Sequence, residues 1–127
     1  MRLGVYSSII QDKKILIVKK KETWILPGGK PEANEGDLEC LCREVEEELS
    51  GTKISNQRFY REFEGQTPHA GDMLKARVYF ADLQGPLHIF SKEILGVAWI
   101  SSNEIGNYNL SDITRKVLDD LNRENYI

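Results

Sequence analysis

A short, unbroken apolar segment between lysines places the strongest constraint on the fold. In KKILIVKK, residues 15–18 are four consecutive apolar residues, which is typical of a short strand buried on both faces. Such a strand needs a layer of structure against each face of its sheet. We therefore expect this strand near the centre of a layered fold.

Other segments supply the layers around this strand. MLKARVYFAD alternates apolar and polar residues, which predicts a strand with one buried face. RLGVYSSII, QRFYREFEG and LGVAWIS are weaker strand candidates, and SDITRKVLDDLNRE predicts a helix with Ser111 as its N-cap. Strands around one helix, with another helix at the end, predict an α/β fold with a mixed sheet. The length of 127 residues suits a single domain over 1–127.

The segment 35–48 is expected to be a helix with an apolar side and an acidic side. Its apolar residues step by three and four positions and would face the core: Leu38, Leu41, Val45 and Leu49. Three acids on another side stand at i, i+3 and i+4: Glu44, Glu47 and Glu48. This spacing predicts three carboxylates that converge on one point.

A solvated surface is the ordinary explanation of a charged helix, but it fits this one poorly. Residues 35–48 contain seven acids and one base, Arg43. Glu44 is followed four residues later by Glu48, a like-charge pair that costs a few tenths of a kcal/mol. Acids near the C-terminal end also oppose the helix dipole, by about 0.3–1 kcal/mol each. Clustered oxygen ligands would recover these penalties by binding Mg²⁺, Mn²⁺ or Ca²⁺.

The distribution of charge in the rest of the chain is weaker evidence for a binding site. The first 30 residues hold seven bases against two acids, and a basic segment beside an acidic one suits a cation and a phosphorylated anion in one cleft. Charge alone fits a solubilising mixture better. Pro27 is followed by Gly28 and Gly29, whose backbone could approach a ligand closely, although a Pro-Gly-Gly sequence is most often a turn.

Composition narrows the class of function. The pI of about 5.4 and the lack of a basic stripe interleaved with aromatic residues argue against a nucleic acid polymer as partner. No signal-peptide pattern and no apolar stretch of membrane-spanning length is visible, so we expect a cytoplasmic protein without a membrane partner. Cys40 and Cys42 lie two residues apart in the predicted helix, and we interpret them as reduced helix residues.

These residues together resemble the Nudix hydrolase signature, G-x5-E-x7-R-E-U-x-E-E-x-G-U, where U is a bulky aliphatic residue. The matching positions are Gly29, Glu35, Arg43, Glu44, Val45, Glu47 and Glu48. Ser50 stands where the family has Gly, and Gly51 where it has the aliphatic residue, as if the turn glycine were displaced by one. The order of elements also resembles the family's α/β/α sandwich, in which the signature forms a loop and a helix. Within the family, the chain resembles the MutT-like members.

The resemblance implies a reaction and a set of residues. The family cleaves a nucleoside diphosphate linked to another group, through metal-assisted attack of water on phosphorus. The expected cofactor is Mg²⁺, with Mn²⁺ as an alternative, and the implied ligands are Glu44, Glu47, Glu48 and the Gly28 carbonyl. The implied catalytic residues are Glu44, Glu47 and Glu93, and either Glu44 or Glu93 could accept the proton of the attacking water. Glu93 has the family's spacing of six residues before Trp99.

The substrate is less visible in the sequence. By resemblance Lys20 would bind the substrate, although a solvated lysine is the simpler reading, and Arg43 would pair with Glu35 or Glu47. Pro68 resembles a proline of ADP-ribose-cleaving members. His69 would either contact the substrate or be exposed. Ser111 and Asp112 could contact the edge of a base, or they could only cap the helix.

We expect a small-molecule nucleotide as substrate, with nucleoside triphosphates ahead of ADP-ribose-like compounds. The chain would act as a monomer or homodimer. The alternative function is a catalytically silent nucleotide-binding regulatory domain of the same family.

Overall fold

The computed structural model describes residues 1–68, 71–89 and 91–127. Its strands are β1 (Arg2–Gln11), β2 (Lys14–Lys20), β3 (Thr23–Ile25), β4 (Gly28–Gly29), β5 (Lys53–Gln66), β6 (Met73–Gln84) and β7 (Gly96–Ile100). Its α-helices are α1 (Asp37–Glu48) and α2 (Asp112–Arg123), and a 3₁₀ helix spans Ser102–Asn107. Within the described ranges no helix is long and apolar enough to cross a membrane.

The strands form one mixed sheet, as predicted. Its main order is β3-β2-β1-β6-β5, with β4 paired to β1 and β7 paired to β2. β1 and β6 run parallel, from Arg2 beside Leu74 to Ile9 beside Ala81, whereas the other named strand pairs are antiparallel. The predicted α/β fold with a mixed sheet is therefore confirmed.

β2 shows why the sheet is covered on both faces. Ile15 and Ile17 belong to the core under α2, and Leu16 and Val18 to the core under α1. All four side chains are fully buried. Because neighbouring residues of a strand point to opposite faces, four consecutive apolar residues need both layers, and α1 and α2 supply them.

The acidic helix starts two residues later than predicted. Gly36 is its N-cap in an extended conformation, and Glu35 lies before the helix, where its carboxylate accepts a hydrogen bond from the Glu32 N–H. Leu41, Val45 and Leu49 are buried as expected. Leu38 is 47% exposed, because the buried side of the helix is rotated towards Cys40.

The end of α1 explains the departure from the signature. Leu49 is the C-cap, Ser50 follows with φ 44° and Gly51 with φ 85°. The Gly51 N–H donates to the Glu46 carbonyl over 2.8 Å, which is the six-to-one hydrogen bond of a Schellman motif. Ser50 and Gly51 therefore both take a positive φ at the helix end, so the glycine displaced by one residue is accompanied by a serine in the left-handed position that favours glycine.

Replacing Ser50 with glycine should therefore stabilise the protein. We expect the free energy of unfolding of Ser50→Gly to rise by about 0.5–1 kcal/mol, because a left-handed non-glycine residue is strained. Thermal denaturation should show an increase in Tm of roughly 2–5 °C. Ser55→Gly, inside β5, is the control and should lower Tm; an unchanged or lower Tm for Ser50→Gly would contradict the argument.

The first turn of α1 is fastened to β6 by an ion pair. Arg77 donates to both carboxylate oxygens of Asp37 over 2.7 and 2.8 Å, and the Tyr79 hydroxyl donates over 2.7 Å. The hydrogen bonds from Arg77 lower the pKa of Asp37. This bidentate contact, added to the favourable position of an acid at a helix N-terminus, fixes the start of the helix that carries the signature.

The lowered pKa of Asp37 predicts an acid-dependent loss of stability. Since the folded-state pKa lies below the unfolded value of about 3.9, the stabilisation is fully present above that pH and is lost as pH falls towards the folded pKa. Asp37→Asn should lower the unfolding free energy by about 1–3 kcal/mol at neutral pH.

Denaturant titrations across pH would test this prediction. The difference between the Asp37→Asn variant and the unsubstituted protein should shrink below about pH 4. Asp119→Asn, on the exposed side of α2, is the matched control and should have a small effect. A difference that is the same at every pH would refute the assignment.

Candidate active site

A buried carboxylate lies at the end of α1. The Glu48 side chain is 1% exposed, and its Oε1 accepts a hydrogen bond from the Gly28 N–H over 3.0 Å. Burial raises the pKa of Glu48 to about 7, against the opposing effect of Lys20. A carboxylate is rarely this buried without a cation beside it, so its surroundings define the site.

Lys20, the last residue of β2, supplies a positive charge. Its Nζ lies 2.5 Å from Glu48 Oε2 and 4.0 Å from an oxygen of Glu93. This ion pair, together with the hydrogen bond from the Gly28 N–H, offsets the burial of the Glu48 carboxylate. The Glu93 side chain is 76% exposed. The structure thus brings together the predicted residues Lys20, Glu48 and Glu93.

Glu44 packs directly against residues 27–29, which we call the glycine loop. Its side chain is 17% exposed, and burial raises its pKa, against the effect of Arg43. A Cβ placed on Gly29 would lie 2.5 Å from the Glu44 carboxyl carbon. The second glycine of the loop therefore makes room for this carboxylate, a contact that the sequence analysis did not foresee.

Gly28 is required by the backbone. Its φ of 148° is a conformation that glycine favours, and an added Cβ would lie 2.7 Å from the Tyr6 Cα. Its N–H is used by Glu48. The predicted role of its carbonyl as a metal ligand stays a prediction.

Arg43 connects the loop to the carboxylates. Its Nε and Nη2 donate to the two oxygens of Glu35 over 2.7 and 2.9 Å, and Nη1 donates to Glu44 over 3.0 Å. Nη1 also reaches Glu47 at 3.4 Å, and Nη2 reaches the Lys30 carbonyl at 3.2 Å. Pairing of Arg43 with Glu35 or Glu47 was predicted, and the structure shows both contacts. Its hydrogen bonds lower the pKa of Glu35 to about 2.

The three signature carboxylates that lie on α1 have different environments. Glu48 is buried, Glu44 is mostly buried and Glu47 is 61% exposed. Among the described residues, no three His, Cys, Asp or Glu side chains are arranged to hold a metal ion. The chain's own cations, Lys20 and Arg43, instead offset the like charges of Glu44, Glu47 and Glu48.

The donor set nevertheless fits a hard divalent cation. Glu48 and Glu44 are both largely removed from solvent on one helix, and Gly29, which has no Cβ, lets the Glu44 carboxylate approach the backbone closely. Carboxylate oxygens are the ligands that Mg²⁺ and Mn²⁺ prefer. Glu44, Glu47 and Glu48 are therefore chemically suited to hold such an ion.

A small cavity of about 70 Å³ is lined in part by Tyr6. Its lining is mainly apolar and includes Leu26, Leu74 and Ile113. Gln66 and Pro68 also line it. Burial, and then the charges of Glu48 and Glu44, raise the pKa of Tyr6 to about 12. Tyr6 lies beside Gly28, whose N–H binds Glu48. The sequence analysis missed Tyr6, although Gly4, two residues earlier on β1, was a signal: a Cβ there would lie 2.5 Å from the Tyr6 ring.

The opening of α2 meets this cavity as well. Ser111 lines it, accepts a hydrogen bond from the Thr114 N–H over 3.2 Å and donates to the Thr114 hydroxyl over 2.8 Å. Asp112 accepts from the Gln66 N–H over 2.9 Å. These bonds confirm Ser111 as the N-cap. His69 lies outside the described residues.

Comparison with known proteins decides the family. A family model described as the NUDIX domain matches residues 1–121. The chain belongs to the Nudix family. The predicted family is thereby confirmed, as is the prediction of an enzyme of the Nudix hydrolase type, which acts on a phosphoric anhydride bond. A search of curated protein sequences found no match.

Solved structures share the Nudix fold of this chain. A MutT Nudix hydrolase from Burkholderia pseudomallei is 26% identical, with a TM-score of 0.81 over 93% of this chain and 95% of that one. A MutT protein from Methanosarcina mazei is 24% identical, with a TM-score of 0.79 over 98% and 94% of the two chains. An ADP-ribose pyrophosphatase from Streptococcus suis is 20% identical, with a TM-score of 0.72 over 94% and 86%. The latter two likenesses concern the fold alone.

The two loop glycines should respond differently to alanine. In Gly28→Ala the Cβ meets backbone atoms that cannot move aside, so we expect a loss of about 2 kcal/mol or more in unfolding free energy. In Gly29→Ala it meets only the flexible end of Glu44, so the loss should stay below about 1 kcal/mol. Denaturant titration of both variants checks this; equal losses would show that Gly29 is needed for the backbone.

Proposed function

We propose that this Nudix hydrolase is a Mg²⁺-dependent pyrophosphohydrolase of small nucleotides, acting as one domain over residues 1–127, with Mn²⁺ as an alternative ion. The observation that carries the proposal is the Glu48 carboxylate buried at the end of α1, on a helix that retains the whole Arg-Glu-x-x-Glu-Glu sequence. Burial of this charge has a cost, and binding of a cation would offset it.

The proposed reaction is hydrolysis of a phosphoric anhydride. A bond forms between the oxygen of water and phosphorus, the bridging P–O bond breaks, and the water proton passes to a carboxylate. The bound divalent ion would neutralise phosphate oxygens and increase the acidity of the water. Glu44, Glu47, Glu48 and the Gly28 carbonyl would hold that ion.

Glu44 is better placed than Glu93 to accept the proton. Arg43 and the Gly29 backbone hold the Glu44 carboxylate in one position, whereas Glu93 is 76% exposed and 4.0 Å from Lys20. A base must be fixed within hydrogen-bond reach of its proton. We propose Glu44 as the base, Glu93 as a residue that positions Lys20, and Lys20 as a contact to substrate phosphate.

The cavity beside Tyr6 would hold the ring of the nucleotide. Its lining is largely apolar with a few polar groups at its rim, such as the Gln66 side chain and Ser111, which is the usual composition of a small-molecule site. Tyr6 lies between this cavity and the carboxylates. A nucleotide with its ring in the cavity would therefore extend its phosphates towards Glu44 and Glu48.

Glu48→Gln tests the proposal most directly, because it keeps the size of the side chain and removes the charge. We expect metal-dependent turnover to fall roughly 100-fold or more, since the ion loses its most buried ligand. Glu46→Gln is the matched control: it lies on the same helix, is exposed and pairs with Lys53 over 2.6 Å. Far-ultraviolet circular dichroism should show that both variants fold. Equal activity of the two variants would refute the assignment of Glu48.

A phosphate-release screen would test the substrate class. The panel holds nucleoside triphosphates, ADP-ribose, dinucleoside polyphosphates and nucleotide sugars, with Mg²⁺ or Mn²⁺ and with or without added pyrophosphatase. We expect triphosphates to be cleaved, with a phosphate signal that requires pyrophosphatase. Mg²⁺ binding without turnover of any compound would favour the silent regulatory domain. The cytoplasmic location and the monomeric or homodimeric state stay predictions.

A further inference from the structure

A second concave region, with a volume of about 370 Å³, lies at the end of β2. It is lined by Lys20, Lys21, Lys92, Glu93 and Leu95. We call this surface the lysine cleft. Lys20 belongs to both regions, because its Nζ contacts Glu48. The cleft is therefore continuous with the proposed point of cleavage.

The charge of the lysine cleft is unbalanced. Three lysines line it against one glutamate, and Lys20 is shared between Glu93 and Glu48. In the described part of the chain, Lys21 and Lys92 form no salt bridge, whereas Lys20 in the same cleft is paired with Glu48. Like charges gathered in a concave surface attract counter-ions, so this cleft suits a polyanion.

The backbone brings together the two segments that carry these lysines. Lys21 lies in the turn between β2 and β3 with φ 53°, next to the last residue of β2. The Leu95 N–H donates to the Lys19 carbonyl over 2.8 Å, which fastens the segment carrying Lys92 to the end of β2. Two separate segments thus present their ammonium groups to one space.

We infer that Lys21 and Lys92 form a subsite for the outer phosphates of the substrate. The inference rests on the proposed function and narrows its substrate class to nucleotides with a free terminal phosphate. An anhydride at Glu48 would extend past Lys20 into the cleft, where two further ammonium groups bind phosphate oxygens. A compound such as ADP-ribose would place an uncharged sugar there and leave both charges without a partner.

Charge-removing variants with a matched control test the inference. Lys21→Gln, Lys92→Gln and the double variant each remove positive charge from the cleft. Lys13→Gln is the control, because Lys13 also lies in a hairpin turn at a left-handed φ of 61°, but at the opposite end of β2. Lys20 is left unchanged in every variant because it contacts Glu48.

Binding of inorganic tripolyphosphate, followed by calorimetry in buffer with Mg²⁺, gives a readout independent of catalysis. We expect the dissociation constant to rise about fivefold to tenfold in each single variant and further in the double variant. Lys13→Gln should bind as the unsubstituted protein does. Equal binding by all variants, or no binding by the unsubstituted protein, would overturn the subsite.

Kinetics then separate this inference from the proposed function. KM for a nucleoside triphosphate should rise by a similar factor in the cleft variants, while KM for any slowly cleaved ADP-ribose should not change. Equal effects on both substrates would overturn the specificity for a terminal phosphate. Tripolyphosphate binding that depends on the cleft, in a protein that hydrolyses nothing, would support the subsite and refute the proposed function.

Discussion

The burial of the Glu48 carboxylate is the constraint on which the site depends. Removing a carboxylate from water costs several kcal/mol unless other groups compensate. Here the Gly28 N–H and the Lys20 ammonium provide that compensation, and each comes from a different strand. The glycine loop, the end of β2 and the end of α1 must therefore meet at one place, which couples the formation of the fold to the formation of the site.

Arg43 has a corresponding role on the exposed side of α1. It binds Glu35 with two hydrogen bonds and also contacts Glu44 and Glu47, so one cation offsets much of the repulsion within the acidic helix. Guanidinium is suited to this because it is planar and permanently charged. The negative charge that looked costly in the sequence is thus balanced locally, and the loop before the helix is fixed in the same step.

Particular residues show which features could be predicted. The apolar run 15–18 predicted a strand buried on both faces, and the structure places a helix over each face, because strand periodicity depends only on local geometry. The pairing of Arg43 with Glu35 also followed from the signature. Tyr6 and the contact of Gly29 with Glu44 did not, because each depends on the distance between segments far apart in the chain. The prediction that Leu38 faces the core was wrong, because helical spacing does not fix how a helix is rotated against its sheet.

The sequence by itself determined the family, the α/β class and the identity of the acids, since the signature and the apolar periodicity are local patterns. Only the tertiary structure decided the state of each group: Glu48 buried, Glu47 exposed, and Lys20 in contact with Glu48 rather than with solvent. It also decided that Ser50 takes the left-handed position at the helix end. The physical reason is that burial and charge pairing depend on the packing of distant segments, which spacing along the chain does not specify.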